Sequence, residues 1–127
     1  MTRNGAEIDR ICQAAARHDI HVVLGFSERS GGSLYMARAF ISGTGELISV
    51  RRKLKPTHVE RSVFGEGDGS DLQVHDTALG RVGGLDCWEH LQPLTKYAMY
   101  SQGEEIHVGP GPASRSTGVP RRPWDRR

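Results

Sequence analysis

The stretch from Gly80 to Val108 constrains this chain more than any other. An apolar, glycine-bearing run from Gly80 to Cys87 reads as a strand, and it breaks at once into the polar Trp88-Glu89-His90. A helical pattern follows over Pro93 to Gln102, with Leu94, Tyr97, Ala98 and Ser101 on one side and Gly103 as its stop. Glu105 to Val108 then reads as a short strand. Strand, helix, strand in that order is a βαβ unit, which needs a parallel pair and sets an α/β class. It also delivers Cys87 to a sharp strand end facing a helix start, where amide dipoles favour a thiolate. The competing reading is a buried structural cysteine, the ordinary fate of a lone cysteine in an apolar strand.

The upstream chain fits the same class. Ile8, Ile11, Cys12 and Ala15 place one apolar face on a helix over Ala6 to His18, ended by Asp19. His21 to Phe26 is a continuous apolar run, expected to be a strand buried on both faces. Arg29 to Ser33 is a turn, and Leu34 to Ile41 and Leu47 to Leu54 are strands joined through Gly43-Thr44-Gly45. Lys55 to Ser70 is a long polar loop, and Leu72 to Val74 a further strand. By pattern alone the elements suggest a two-layer α/β arrangement.

With 127 residues, 36% hydrophobic and 25% charged, the chain has material for one small domain and no apolar run long enough to cross a bilayer. Five arginines and one aspartate fall in residues 109–127, together with four of the six prolines. That composition is expected to be a disordered tail, and it leaves residues 1–108 slightly acidic, with no basic surface for nucleic acid. Cys12 and Cys87 lie far apart in unlike contexts, which fits a reducing cytoplasm.

Around Cys87 the candidates for chemistry are few. Lys53, at a strand end in Arg51-Arg52-Lys53-Leu54-Lys55-Pro56, reads either as one of a solvated charge cluster or as an inward cation that stabilises a thiolate and a developing anion. Glu60, seven residues on, is placed to orient that lysine. His58 and His90 offer a rival Cys–His pair. A zinc site from Cys87, His90 and His58 lacks paired ligand spacing. The run Gly65-Glu66-Gly67-Asp68-Gly69 lacks the lysine ending of a phosphate loop and carries two carboxylates, so it reads as turn geometry.

Gly83-Gly84-x-x-Cys87-Trp88-Glu89-His90-x-x-Pro93-Leu94-x-Lys96 resembles the cysteine signature of the nitrilases, in the carbon–nitrogen hydrolase superfamily. Arg52 to Glu60 resembles that family's lysine segment, with Lys53 and Cys87 at a fitting separation of 34 positions. Gly32-Ser33-Leu34-Tyr35 and Gly65 to Ser70 are similar to further nitrilase segments. The resemblance implies part of an α/β/β/α sandwich of the carbon–nitrogen hydrolase type, with one helix layer thinned and Lys53 and Cys87 at the same end of adjacent strands. It implies Cys87 as nucleophile, Lys53 as stabiliser of the tetrahedral intermediate and Glu60 as the accompanying glutamate. Nitriles are then the substrates, turned over through a thioimidate without metal or organic cofactor, and a homo-oligomer is a further expectation. The family's general base is a glutamate well upstream of the lysine segment. Only 52 residues precede Lys53, and Glu7, in the first helix, does not match it. The expectation is therefore a frame shortened at both ends, either impaired or inactive and associated with a full-length relative, with an unpaired edge near Val22 to Phe26.

Overall fold

A single helix, α1 (Ala6–His18), opens the fold and lies on a sheet whose order is β1 (Val22–Ser30), β2 (Ser33–Ile41), β3 (Leu47–Arg52). The computed structural model describes residues 1–109, so the expected tail lies, from residue 110 on, outside the described residues. A two-residue strand, β4 (Phe64–Gly65), pairs in parallel with the start of β2. The second sheet is β5 (His75–Thr77), β6 (Gly80–Gly84) and β7 (Ile106–Val108), with α2 (Pro93–Ser101) making the parallel β6–β7 crossover. A 3-10 turn over His58–Ser62 precedes β4, and another over Cys87–Leu91 precedes α2.

Strand parity explains the layering. Ala39 and Ile41 of β2 turn to α1, where they bury with Ala15 and pack against Ile11, Cys12, Val22, Leu24, Phe26, Leu47 and Val50. The alternate residues turn to the other sheet: Phe40 meets the His75 ring at 4.9 Å, and Ser49 Oγ lies 2.7 Å from His75 Nε2. On the far face of the second sheet, Met99 of α2 is fully buried, and a Cβ on Gly83 would collide with it. The arrangement is thus α1, sheet, sheet, α2, a four-layer α/β/β/α sandwich. The two-layer reading fails because the strands' two faces serve different layers, which a single-strand pattern does not separate.

Other expectations shift in detail. β1 runs on to Ser30 and pairs Ser30 with Ser33, so only Gly31 and Gly32 form the turn, with Gly31 at φ 59°. β1 is half-buried rather than buried on both faces, with burial that alternates from Leu24 on, and among the described strands only β2 flanks it. Its other edge meets the N-terminus: the Met1 ammonium donates to Ser27 O at 3.0 Å, and the Arg29 amide donates to Met1 O at 2.8 Å. Leu72 to Val74 is not a strand; the extended residues are His75–Thr77.

On the α1 side, Glu28 is buried and held by two guanidiniums. Arg52 Nε donates to it at 2.7 Å and Arg3 Nε at 2.7 Å, while Arg52 also lies 3.7 Å over the Tyr35 ring. The Arg52 hydrogen bond leads in lowering the Glu28 carboxyl from 4.5 to about 2, against the opposing effect of burial. A carboxyl lowered on folding stabilises the fold above its unfolded pKa and loses that contribution as pH falls towards the folded value. Glu28→Gln is expected to cost on the order of 3 kcal/mol at neutral pH. Thermal melts from pH 6 downward check this: the gap between wild type and Glu28→Gln should close progressively below about pH 4.

Candidate active site

Lys53 continues β3 by one residue, its amide donating to Met36 O at 2.8 Å, and its side chain is completely buried. The Nζ donates to Glu60 Oε2 at 2.6 Å and reaches Thr57 Oγ1 at 3.4 Å. Glu60 is fixed in turn by a capping box: the Thr57 amide donates to Oε2 at 2.7 Å and the Thr57 hydroxyl at 3.0 Å. Burial pushes the Glu60 carboxyl up, but the donors from Lys53 and Thr57 outweigh it and leave it below its ordinary value. An ammonium has three N–H bonds. Two of them are taken by Glu60 and Thr57.

The loop that carries this pair closes on Lys53 from behind. The Gly67 amide donates to Lys53 O at 2.9 Å, and a Cβ at Gly67 would press on the carbonyls of Arg52 and Lys53. The glycine run is therefore a close backbone approach.

Cys87 follows β6 at the first position of its 3-10 turn, with φ 49°, a left-handed conformation that non-glycine residues adopt at a cost of roughly 1–2 kcal/mol. The α2 helix begins at Pro93, as its pattern predicts, and a 3-10 turn over Cys87–Leu91 fills the interval between β6 and that helix. The α2 amides accordingly do not start at the cysteine. His90 turns back, with Nδ1 donating to the Cys87 carbonyl at 2.7 Å, and its Nε2 lies 3.0 Å from His107 Nε2. Its ring thus serves the backbone of the turn.

Two buried arginines, which sequence reasoning folded into a charge cluster or passed over, tie this turn to the first sheet. Arg38 and Arg51 are direct cross-strand partners on the inter-sheet face. Arg38 Nη2 donates to Leu85 O at 2.6 Å and also to Asp86, and Arg51 forms a bidentate pair with Glu89 at 2.7 and 2.8 Å. Burial leads in raising the Asp86 carboxyl despite both guanidiniums, whereas the Glu89 carboxyl, also penalised by burial, is lowered by Arg51 and by the Leu54 and Asp86 amides. The signals were present in two forms: Arg51 shares Lys53's strand parity, and Asp86-x-x-Glu89 repeats the Thr57-x-x-Glu60 capping pattern.

Lys53 and Glu60 are therefore in direct contact, while Lys53 and Cys87 extend from different sheets rather than from neighbouring strands, with Glu89 bonded to the Leu54 amide on one side and the Asp86 amide on the other. Leu54, Thr57, Trp88, Gln92 and Thr95 line a cleft of about 140 Å³ where the two segments meet. A larger groove of about 540 Å³ runs along α1 past Arg10, Ala14 and His18, away from these residues.

Two stability measurements probe this geometry. With Cys87→Ala as reference, Cys87→Gly should melt higher, by about 1 kcal/mol, and Cys87→Val lower, because only glycine accepts the left-handed backbone without strain. Glu60→Gln should cost more than Lys53→Met, by about 1–2 kcal/mol in denaturant titration, since the first strands a buried ammonium and the second leaves a carboxylate still bonded to Thr57. Equal costs would mean that Lys53 is not confined to this partner.

Residues 1–127 match the family profile described as carbon-nitrogen hydrolase. An aliphatic nitrilase from Rhodococcus rhodochrous is 55% identical over 112 residues, 88% of this chain and 31% of the relative. An arylacetone-specific nitrilase from Alcaligenes faecalis is 58% identical over 89% of this chain and 32% of its own length. An arylacetonitrilase from Aspergillus niger is 59% identical over 88% of this chain and 34% of its own. The chain thus spans about a third of the length of these curated relatives. Among solved structures, a carbon-nitrogen hydrolase from Helicobacter pylori G27 aligns with a TM-score of 0.76 at 20% identity, over 83% of this chain and 37% of that one. A double mutant of the amidase from Nesterenkonia sp. AN1 in complex with acrylamide aligns at 0.75 and 20% identity, over 91% and 45%. Matched along its whole length by the family profile, and folded as these structures are, the chain belongs to the carbon-nitrogen hydrolase family.

Proposed function

We propose that the chain carries the nucleophile and charge-stabilising part of a nitrile-hydrolysing site, in which Cys87 attacks the nitrile carbon. The observation that carries this reading is the buried Lys53–Glu60 pair, coupled through Glu89 to a cysteine held in a strained turn. The identity of 55–59% to the nitrilases above supports a nitrile rather than an amide as substrate. Sulfur adds to the carbon–nitrogen triple bond and a proton passes to nitrogen, giving a thioimidate. Water adds, ammonia leaves, and the resulting thioester takes up a second water to release a carboxylic acid and the free thiol. Lys53 donates its remaining N–H to the anion that develops at each addition. Glu60 holds that ammonium in place. No metal or organic cofactor enters these steps.

A second reading is a non-catalytic half-domain associated with a full-length relative or with itself. It is favoured because Glu60 and Glu89 are each engaged by a cation and by amide donors, so neither serves as a free base. Leu91, Leu94, Tyr97 and Tyr100 form an exposed apolar stripe suited to such association. Two free cysteines fit a reducing cytoplasm, and no helix of the described residues is long and apolar enough to cross a membrane.

Ammonia release from small aliphatic and aromatic nitriles tests both. The isolated chain should turn over about 10²–10⁴-fold more slowly than its nitrilase relatives, the contribution of a general base, because Glu60 and Glu89 are both engaged. Cys87→Ala should abolish the residual rate. Ammonia release unchanged by Cys87→Ala would refute the first reading, and no release at any enzyme concentration would favour the second.

A further inference from the structure

Glu89 touches both halves of the site at once. Its side chain is 3% exposed, and each oxygen has two donors. Oε1 accepts from the Leu54 amide at 2.8 Å and from Arg51 Nη2 at 2.7 Å. Oε2 accepts from the Asp86 amide at 2.7 Å and from Arg51 Nη1 at 2.8 Å. Leu54 directly follows Lys53, and Asp86 directly precedes Cys87. One buried carboxylate therefore grips the peptide that follows Lys53 and the amide of the residue before Cys87, although the two lie in segments 34 positions apart that extend from different sheets.

From this geometry we infer that Glu89 is a positioning residue, which sets the spacing between the Lys53 ammonium and the Cys87 sulfur. The inference rests on the reading of Cys87 and Lys53 as nucleophile and stabiliser. A carboxylate needed only to neutralise Arg51 would be satisfied by the bidentate pair. The two amide bonds are additional. A rigid bridge with four donors fixes distance in a way that a single ion pair on a long side chain does not.

The sign of one measurement separates positioning from plain electrostatics. Removing a nearby negative charge, by itself, favours the thiolate and speeds alkylation. Loss of the Lys53–Cys87 spacing slows it. The test is site-resolved alkylation of the full chain by iodoacetamide at neutral pH, read by peptide mass spectrometry, with Cys12 as an internal reference and circular dichroism to verify folding. Glu89→Gln should slow Cys87 by about 10–100-fold, the range for groups that orient a reacting residue, while Cys12 is unchanged. Glu89→Asp should fall between the two. If Glu89→Gln does not fold, Glu89→Asp carries the comparison with a smaller slowing of the same sign.

A double-mutant cycle with Lys53→Met completes the test. If Glu89 acts through the lysine, Glu89→Gln adds no further slowing in the Lys53→Met background. A folded Glu89→Gln chain alkylated at Cys87 as fast as wild type, or faster, overturns the positioning role while leaving the site reading intact, provided that Lys53→Met alone slows Cys87. Undiminished slowing by Glu89→Gln in the Lys53→Met background overturns it as well. If Lys53→Met alone leaves Cys87 unchanged, the site reading fails and the inference falls with it.

Discussion

The structure turns on two arginines placed side by side in its interior. Arg38 and Arg51 face each other across β2 and β3, an arrangement that would repel if left alone. Asp86 and Glu89 enter from the second sheet and neutralise it. Burying four charges this way gives little net stability, because desolvation offsets most of the attraction. What it gives is location: the guanidiniums also hold the carbonyls of Gly84, Leu85 and Val108, so the end of β6 and the end of β7 are fixed against β2 and β3. The apolar contacts between the sheets leave many registers open, and these directional bonds do not.

The Cys87 turn inherits its geometry from that junction. A Cβ on Gly84 would collide with Arg38 and with the Val108 carbonyl, which is why the strand reaching the cysteine ends in glycine. The left-handed backbone at Cys87 is held between Asp86, bound to Arg38, and Glu89, bound to Arg51. Lys53, two residues beyond Arg51 on the same face, shares the same fixed frame.

Much of this was legible from residue order. Ile8, Ile11, Cys12 and Ala15 gave α1 its face, and the βαβ unit around Cys87 emerged from one glycine-rich run and one helical pattern. Glu60, read as placed to orient Lys53, does contact it, whereas the capping box at Thr57 that fixes Glu60 went unread. The layering was not legible. Arg38 and Arg51 are residue types that normally mark solvent, and only pairing across strands shows that they face inward together. His75–Thr77, a polar strand, was missed for a related reason, since β5 is held by β6 and by Phe40 more than by any pattern of its own.

The apolar core against α1 is small, built on Ala15, Ala39 and Ile41, while the junction between the sheets is ionic. These two seams respond differently to heat. Hydration of charged groups becomes less favourable as temperature rises, so the desolvation cost of the arginine–carboxylate quartet shrinks just as the conformational entropy opposing α1 grows. The seam that locates Cys87 and Lys53 is therefore the one whose desolvation cost falls on warming, while the ordering of α1 grows costlier.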